Sequence, residues 1–181
     1  PFGISRGLLI HGPSGIGKTR LVQHVVQDAQ YMNSIDLLYQ TNVDWNLWTK
    51  NVDILVLDDI HRIGAQRTAP DDPNILLTSL LAWMDGIDSN TTPRVIGITH
   101  SPQLLDRALR RPGRFDTEIE VPMPTAVMRS ALLRHFVSTM KSVTLREDVY
   151  DEMGSMAKGF HAADCLLAVK GATRRALSRP G

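Results

Sequence analysis

One eight-residue stretch near the start of the chain has the composition and spacing to bind a polyphosphate. It reads Gly12-Pro13-Ser14-Gly15-Ile16-Gly17-Lys18-Thr19, which fits the pattern G-x-x-x-x-G-K-[ST] of a phosphate-binding loop, or Walker A motif. The glycines allow a sharp turn that brings backbone N–H groups around the phosphates, and the following helix points its positive end at the same anion. Lys18 can reach the outer phosphates, and the Thr19 hydroxyl can coordinate Mg²⁺. The stretch predicts a nucleotide-binding chain.

Two adjacent carboxylates, Asp58 and Asp59, end a second stretch of chemical interest. The apolar residues before them predict a buried central strand, which would deliver the acids to the carboxyl edge of a sheet, where ligands bind in open α/β folds. Asp58 would then hold Mg²⁺ through its water shell, and Asp59 would polarise an attacking water. An ordinary polar turn or a helix cap is the alternative, and it is less favoured downstream of an intact phosphate-binding loop.

The elements that must position these residues alternate between apolar runs and helical stretches, the pattern of a parallel sheet with helices on both faces. We expect strands at residues 7–11, 34–40, 52–57, 94–100 and, at an edge, 117–121. We expect helices at residues 19–29, 75–84 and 104–109, one helical turn within 43–51, and a loop over 64–74. The predicted fold class is α/β, a P-loop NTPase parallel αβα sandwich.

A proline-rich break at residues 122–124 marks the predicted domain boundary. Residues 1–121 would form the nucleotide-binding core, and residues 122–181 would form a small helical lid. Within the lid we expect helices at residues 125–140, 146–157 and 162–178. Because the chain starts at Pro1, close to the first strand, we expect it to be a fragment of a larger protein.

Composition narrows the partners and the compartment. A net charge of +1 over 181 residues gives no reason to expect binding to a polyanion such as a nucleic acid. The single cysteine, Cys165, excludes an internal disulfide or a cysteine-cluster metal site, and we expect it to be a core residue in a reducing compartment. No stretch is long and apolar enough to span a bilayer and no signal peptide is recognisable, so we predict a cytoplasmic or nuclear location.

Taken together, the motifs and their order resemble the AAA family of ATPases. The branch most similar to this chain contains valosin-containing protein, NSF and the ribosome-maturation ATPases. Four further stretches carry the resemblance: the acidic strand end at 58–59, LLAWMDGID at 80–88, VIGITHSP at 95–102 and LLDRALRRPGRFD at 104–116. In the predicted lid, GFHAAD at 159–164 is similar to the family signature G-F-[ST]-G-A-D.

The resemblance implies ATP and Mg²⁺ as cofactors and a homo- or hetero-oligomeric ring, expected to be a hexamer, that acts on a protein substrate or adaptor. Arg111 and Arg114 align with the family's pair of arginines that reach into the neighbouring subunit and contact its γ-phosphate. Such an arginine finger is a planar, permanently charged donor suited to the charge of a phosphoryl-transfer transition state. A basic surface turn is the alternative for these two residues.

Three departures from the family pattern bear on activity. Asp59 stands where the family has the water-activating Glu, and it is one methylene shorter. A displacement of about 1 Å at such a base can cost on the order of 10²-fold in rate. His100 replaces the usual Asn of the first sensor, and its imidazole is titratable. The segment between the phosphate-binding loop and the acidic strand end at 58–59 is shorter than in the family, and it lacks the usual pore loop that grips a substrate. Trp45 or Trp48 could substitute for that loop, although packing of these residues against the sheet is favoured.

These observations leave three functions, in order of preference. The first is an ATP-binding AAA module of a ring-forming ATPase that couples ATP binding and hydrolysis to protein remodelling or unfolding, with hydrolysis weakened by Asp59 and His100. The second is a structural ring subunit that binds ATP without hydrolysing it and supplies Arg111 and Arg114 to a neighbour. The third is a clamp-loader or origin-type ATPase acting on DNA, which the charge balance disfavours.

Overall fold

The computed structural model of the chain describes residues 7–40, 43–65, 74–86, 93–140 and 145–178. These residues fall into two compact units. The first unit comprises Pro1–Gly12 and Lys18–Val121, and the second comprises Pro13–Gly17 and Pro122–Gly181. The tip of the phosphate-binding loop is therefore grouped with the C-terminal part of the chain.

The first unit is built on a sheet of five parallel strands, which confirms the predicted α/β fold class. The strands are β1 (Gly7–His11), β2 (Gln30–Asn33), β3 (Ile54–Asp58), β4 (Arg94–Thr99) and β5 (Phe115–Glu120). Their order across the sheet is β2-β3-β4-β1-β5, so β4 lies between β1 and β3. His11 at the end of β1 pairs with Thr99 at the end of β4. The residues that follow β1, β3 and β4 consequently lie along one edge of the sheet.

Apolar side chains cover both faces of this sheet. In β3, Leu55 and Leu57 belong to one buried cluster and Val56 to a second, and all three are fully buried. This alternation follows from the pleat of a strand, which directs successive side chains to opposite faces. The helices of the unit are α1 (Lys18–Val25), α2 (Ser34–Leu37), α3 (Trp45–Trp48) and α4 (Ile75–Gly86). The buried strands carry the site residues on a rigid support.

The predicted strand over residues 34–40 is wrong. The second strand is β2, which ends at Asn33, and residues from Ser34 onward form the short helix α2. The physical reason is local: the Asn33 side chain accepts a hydrogen bond from the backbone N–H of Ile35 at 3.0 Å and thereby caps a helix start. Ser34 and Leu37 are then buried at a helical spacing of three residues, which the apolar run alone did not distinguish from a strand.

The other predicted strands and the helices predicted over 43–51 and 75–84 agree with the structure to within a few residues at their ends. The helix predicted over 19–29 already ends at Val25. The helix predicted over 104–109 is replaced by two 3₁₀ turns, Pro102–Leu104 and Arg107–Arg110. The second turn is capped by Asp106, whose carboxylate accepts from the N–H of Ala108 at 2.8 Å. The predicted loop 64–74 lies, apart from its ends, outside the described residues.

Trp45 packs in the core of the first unit, as favoured from the sequence. It is 4% exposed, stacks on Trp83 with the ring centroids 5.5 Å apart, and donates from Nε1 to the hydroxyl of Ser79 at 3.1 Å. Trp48 is half-buried against the same apolar cluster. Trp45 therefore serves the packing of α3 against α4, which leaves its ring unavailable for gripping a substrate.

The second unit contains three helices, α5 (Ala126–Ser138), α6 (Glu147–Met156) and α7 (Ala162–Leu177). They enclose a small apolar cluster of Leu133, Val137, Tyr150, Cys165 and Val169. Cys165 is fully buried, which confirms its expected place in the core, and burial raises the pKa of its thiol. None of the helices in the described ranges of either unit is long and apolar enough to cross a membrane.

Candidate functional site

The phosphate-binding loop joins the end of β1 at His11 to the start of α1 at Lys18, the strand–loop–helix context that the motif requires. Gly12, Gly15 and Gly17 all have positive φ angles, of 142°, 76° and 99°. At Gly17 the restriction is conformational, because no heavy atom of the described residues, apart from Gly17 and its two chain neighbours, lies within 4 Å of the position a Cβ would take. Any L-residue there would be strained by its backbone alone.

The side chain of Lys18 folds back onto Gly12, which follows β1. Its side chain donates from Nζ to the carbonyl oxygen of Gly12 at 2.8 Å, and the residue is 8% exposed. Burial lowers the pKa of Lys18, and the negative charges of Asp58 and Asp59 oppose that shift. The lysine therefore lies in the field of both acidic residues that follow β3.

Thr19 and Asp58 lie side by side, although 39 positions separate them in the sequence. The Thr19 hydroxyl donates to Oδ2 of Asp58 at 2.9 Å, and Oδ1 of Asp58 accepts from the N–H of Asp59 at 3.0 Å. A hydroxyl and a carboxylate are hard oxygen donors of the kind that Mg²⁺ prefers. These two residues consequently fit the magnesium role that the sequence assigns to them.

Asp59 combines an unusual backbone with a crowded carboxylate. Its φ of 52° and ψ of 40° are left-handed, a conformation that costs energy in residues other than glycine and that concentrates at functional sites. Oδ1 lies 3.7 Å from Nδ1 of His100 and 4.0 Å from Nδ1 of His61, whereas Oδ2 lies 3.8 Å from Nε of Arg62. The predicted base and the predicted sensor are thus neighbours, and two basic side chains accompany them.

His61 is a member of the site that the sequence did not reveal. Its ring packs edge-on against that of His100 with the centroids 4.3 Å apart, and its Nδ1 lies 3.1 Å from the hydroxyl of the fully buried Thr99. Burial lowers the pKa of His61, and the adjacent His100 lowers it further. No spacing rule singles out this histidine; its position two residues after Asp59 was the only available signal.

The two predicted finger arginines occupy different environments. Arg114 donates from Nε and Nη2 to both carboxylate oxygens of Asp85, at 2.9 and 2.7 Å, and from Nη1 to the carbonyl of Ala108 at 2.6 Å. The hydrogen bonds to Asp85 raise the pKa of Arg114. Arg111 is exposed. Asp85 lies in the stretch 80–88 that carries the family resemblance, but no sequence pattern predicts its pairing with Arg114.

In the second unit, the tip of the phosphate-binding loop contacts the start of α7. The N–H of Ala163 donates to the carbonyl of Gly15 at 3.0 Å. A Cβ added to Gly15 would lie 2.8 Å from Cε1 of His161. His161 caps α7 reciprocally with Asp164, through bonds of 3.0 and 3.2 Å, so its ring is held in place. The signature around 159–164 thus has a structural role that its sequence match did not specify.

The structure therefore brings some of the predicted site residues together and places others apart. Lys18, Thr19, Asp58, Asp59 and His100 meet in the first unit. Gly12 also belongs to this unit, whereas Pro13, Ser14, Gly15, Ile16 and Gly17 belong to the second. Pro13 and Ser14 are exposed, and Ile16 is half-buried.

Comparison with known proteins agrees with the α/β fold described above. The family described as "ATPase family associated with various cellular activities (AAA)" matches residues 8–123. The chain belongs to the AAA family of ATPases. The match includes residues from every strand of the sheet, together with Asp58 and Asp59.

Individual relatives of this AAA module are known from archaea and eukaryotes. The proteasome-activating nucleotidase of Methanoregula boonei is 32% identical over 178 residues, covering 88% of this chain and 40% of the relative. The ATP-dependent zinc metalloprotease YME1 homolog of Schistosoma mansoni is 35% identical, covering 77% of this chain and 23% of the relative. The 26S proteasome regulatory subunit 10B of Dictyostelium discoideum is 30% identical, covering 88% and 44%. The chain spans less than half the length of these relatives.

Proposed function

We propose that this AAA module binds ATP with Mg²⁺ and hydrolyses its phosphoric anhydride bond at the carboxyl edge of the sheet. The observation that carries the proposal is the convergence of three distant motifs. Thr19 of the phosphate-binding loop bonds to Asp58 at 2.9 Å, and the next residue, Asp59, lies 3.7 Å from His100 at the end of β4. A phosphate-binding loop, a pair of acids and a polar sensor are the parts that phosphoryl transfer to water requires.

Each residue takes a role that suits its chemistry. The backbone of residues 12–19 and Lys18 bind the phosphates, and Thr19 with Asp58 hold Mg²⁺, which neutralises phosphate charge when bound. Asp59 accepts a proton from the attacking water, and His100 orients that water or the γ-phosphate. Because Asp59 is shorter than the Glu of the family pattern, we propose a reduced rate, on the order of 10²-fold for a misplacement of about 1 Å.

We further propose that the module works in a ring in which Arg111 reaches the site of a neighbouring subunit. The exposure of Arg111 supports this role, because an arginine finger must be accessible to the phosphate of a nucleotide bound by the neighbouring subunit. Arg114 is hydrogen-bonded to Asp85 and Ala108, so we propose that it stabilises the turn that carries Arg111. Alternatively, Arg114 would contact the neighbouring site together with Arg111 once its ion pair with Asp85 has broken.

The class of substrate follows from the relatives. Proteasome-activating nucleotidases and a proteasome regulatory subunit are named for a partner that handles proteins. We therefore propose that ATP turnover here is coupled to remodelling or unfolding of a protein in an intracellular, cytoplasmic or nuclear, compartment. We also propose that residues 122–181 form the helical lid that the family resemblance implies.

The decisive experiment compares steady-state ATP turnover of the assembled protein with that of Asp59→Asn and Asp59→Glu. We expect Asp59→Asn to abolish turnover, because an amide cannot accept the proton at neutral pH. We expect Asp59→Glu to retain or raise turnover by restoring the longer reach. Asp53→Asn is the matched control: Asp53 is exposed and precedes β3, at the end opposite the site, so its loss should leave turnover unchanged.

Two outcomes would contradict this mechanism. Turnover that survives in Asp59→Asn would exclude Asp59 as the base. A natural rate at background that rises only in Asp59→Glu would instead support the structural ring subunit, which binds ATP and leaves hydrolysis to its neighbours. Lys18→Ala separates binding from chemistry, because it should abolish ATP binding itself; tight binding by this variant would refute the phosphate-binding assignment.

The arginine role is tested by mixing. Subunits carrying Arg111→Ala are combined with an active partner, and turnover is measured together with the ATP affinity of the mutated chain. We expect lower turnover in the mixture and unchanged affinity in the mutated chain. Arg107→Ala, at an exposed arginine four positions earlier, is the control. Equal turnover in the Arg111→Ala and Arg107→Ala mixtures would exclude Arg111 as a finger.

A further inference from the structure

Asp59, His61 and His100 form a cluster of three potential metal ligands, whereas activating a water requires only one base. One ligand atom from each residue lies within 4.8 Å of the ligand atoms of the other two. Oδ1 of Asp59 faces both imidazoles, at 3.7 and 4.0 Å, while Oδ2 faces Arg62. One carboxylate oxygen and two ring nitrogens thus converge on one point.

These separations are close to those in a transition-metal site. Ligand atoms about 2.0–2.2 Å from a tetrahedral Zn²⁺ lie roughly 3.4 Å from one another. To reach that spacing the side chains would have to rotate, and Asp59 and His100 have room to do so because their side chains are 38% and 39% exposed. Two histidines and one carboxylate also leave a further coordination position open, as three-ligand sites do.

A buried hydroxyl supports the orientation of His61. Thr99 is fully buried, accepts from the N–H of Ser101 at 3.0 Å, and lies 3.1 Å from Nδ1 of His61. This contact holds the His61 ring beside Asp59, with the same Nδ1 atom 4.0 Å from Oδ1 of the carboxylate. In the tautomer that carries its proton on Nε2, the lone pair of Nδ1 is the donor available to a cation.

We propose that Asp59, His61 and His100 bind a divalent transition-metal ion of the Zn²⁺ class. Imidazole nitrogens favour such ions over Mg²⁺, which prefers oxygen donors. The proposed site is therefore chemically distinct from the hydroxyl–carboxylate pair of Thr19 and Asp58. The two sites share no ligand, although Asp58 and Asp59 are adjacent, so an excess of Mg²⁺ should not displace the second ion.

Binding is tested on the full chain without nucleotide, by equilibrium dialysis against Zn²⁺ in excess Mg²⁺ and by the visible absorption of Co²⁺ used in its place. We expect one ion per chain. Both His61→Ala and His100→Ala should weaken Zn²⁺ affinity by at least about 100-fold, since removing even a residue that only supports a ligand costs about 10–100-fold. Because His100 is exposed, its variant keeps the test valid if His61→Ala fails to fold.

His24→Ala and His135→Ala are the matched controls, at exposed histidines of α1 and α5 that lie outside the cluster. They should leave the affinity unchanged. The proposal is overturned if the natural chain binds no Zn²⁺ in excess Mg²⁺, or if the control variants lose affinity as much as the cluster variants, because binding would then be spread over surface histidines.

A consequence for activity rests on the proposed function. An ion that takes up Oδ1 of Asp59 removes the proposed base, so saturating Zn²⁺ should lower ATP turnover at least tenfold and a Zn²⁺ chelator should restore it. Turnover that is unchanged while Zn²⁺ is bound would overturn the role of Asp59 as base. The metal site itself is overturned only by the binding measurement, so the two failures are distinguishable.

Discussion

Replacing Gly154 by alanine should destabilise the second unit, although alanine is the better helix former. Gly154 is buried in α6, where this helix approaches α5. A Cβ at this position would lie 2.7 Å from the carbonyl oxygen of Ala126 and 2.9 Å from the backbone nitrogen of Ser130, and it would also contact the Ser130 hydroxyl. Two of these atoms belong to the α5 backbone, which cannot rotate away as a side chain could.

The magnitude follows from three opposing effects. Gly→Ala within a helix gains about 0.5–1 kcal/mol. Forcing a methyl group into a packed interface costs about 1–3 kcal/mol. Moving α6 away would also stretch the bond of 2.9 Å from Nε of the buried Arg129 to the carbonyl of Gly154, and a hydrogen bond to a charged group is worth about 1.5–3 kcal/mol. We therefore expect a net loss of about 2–4 kcal/mol in the free energy of unfolding.

The assay is urea unfolding followed by far-UV circular dichroism. Gly171→Ala is the control, because Gly171 is also helical but no heavy atom from outside its own helix, within the described residues, lies within 4 Å of its Cβ position. That variant should gain about 0.5–1 kcal/mol. All three tryptophans lie in the first unit, so tryptophan fluorescence follows that unit separately. A Gly154→Ala chain as stable as the natural one would refute the close approach of α5 and α6.

Three further predictions concern the first unit. Thr19→Ala should raise the Mg²⁺ concentration for half-maximal ATP turnover about tenfold, the equivalent of about 1.4 kcal/mol, whereas Thr19→Ser should leave it unchanged because it keeps the hydroxyl. The same Mg²⁺ dependence in Thr19→Ala and in the natural chain would contradict the role of Thr19 as a ligand. Trp45→Ala should lower the free energy of unfolding by about 3–5 kcal/mol, because its buried ring stacks on Trp83, whereas Trp48→Ala should cost less; equal losses in urea unfolding would contradict this. Because burial lowers the pKa of His61, its contribution to the free energy of unfolding should be fully present above about pH 6.5 and be lost as the pH falls through the lowered value. In urea unfolding at pH 7.5 and 5.0, His61→Ala should therefore lose less stability between the two pH values than the natural chain does. Equal losses in the two proteins would exclude the effect.

The sequence was most informative where a function is encoded in consecutive residues. The phosphate-binding loop and the acids after β3 are local patterns with a fixed chemical reason, and both occupy the elements expected of them. The same holds for His100, which directly follows a strongly apolar strand. For such residues, the neighbours in sequence already determine the position in the fold.

Contacts made by the tertiary structure could not be predicted in this way. The pairing of Arg114 with Asp85 joins the end of α4 to the start of β5, and the contact of His61 with His100 joins the segments that follow two neighbouring strands. Neither depends on periodicity or spacing. The mistaken strand over 34–40 has a different cause, since a single cap at Asn33 outweighed the β-propensity of an apolar run.

The order of the strands has a consequence for the synthesis of the protein. Among the strands of this sheet, β1 leaves the ribosome first, yet both of its neighbours come late: Gly7 pairs with Val95 of β4 and with Phe115 of β5. Until the chain has been made to that point, β1 presents two unpaired edges and apolar side chains such as those of Leu9 and Ile10. Pairings so distant in sequence form slowly and leave aggregation-prone intermediates. Substitutions in β4 or β5 should therefore reduce the yield of folded protein in the cell before they affect the affinity for nucleotide.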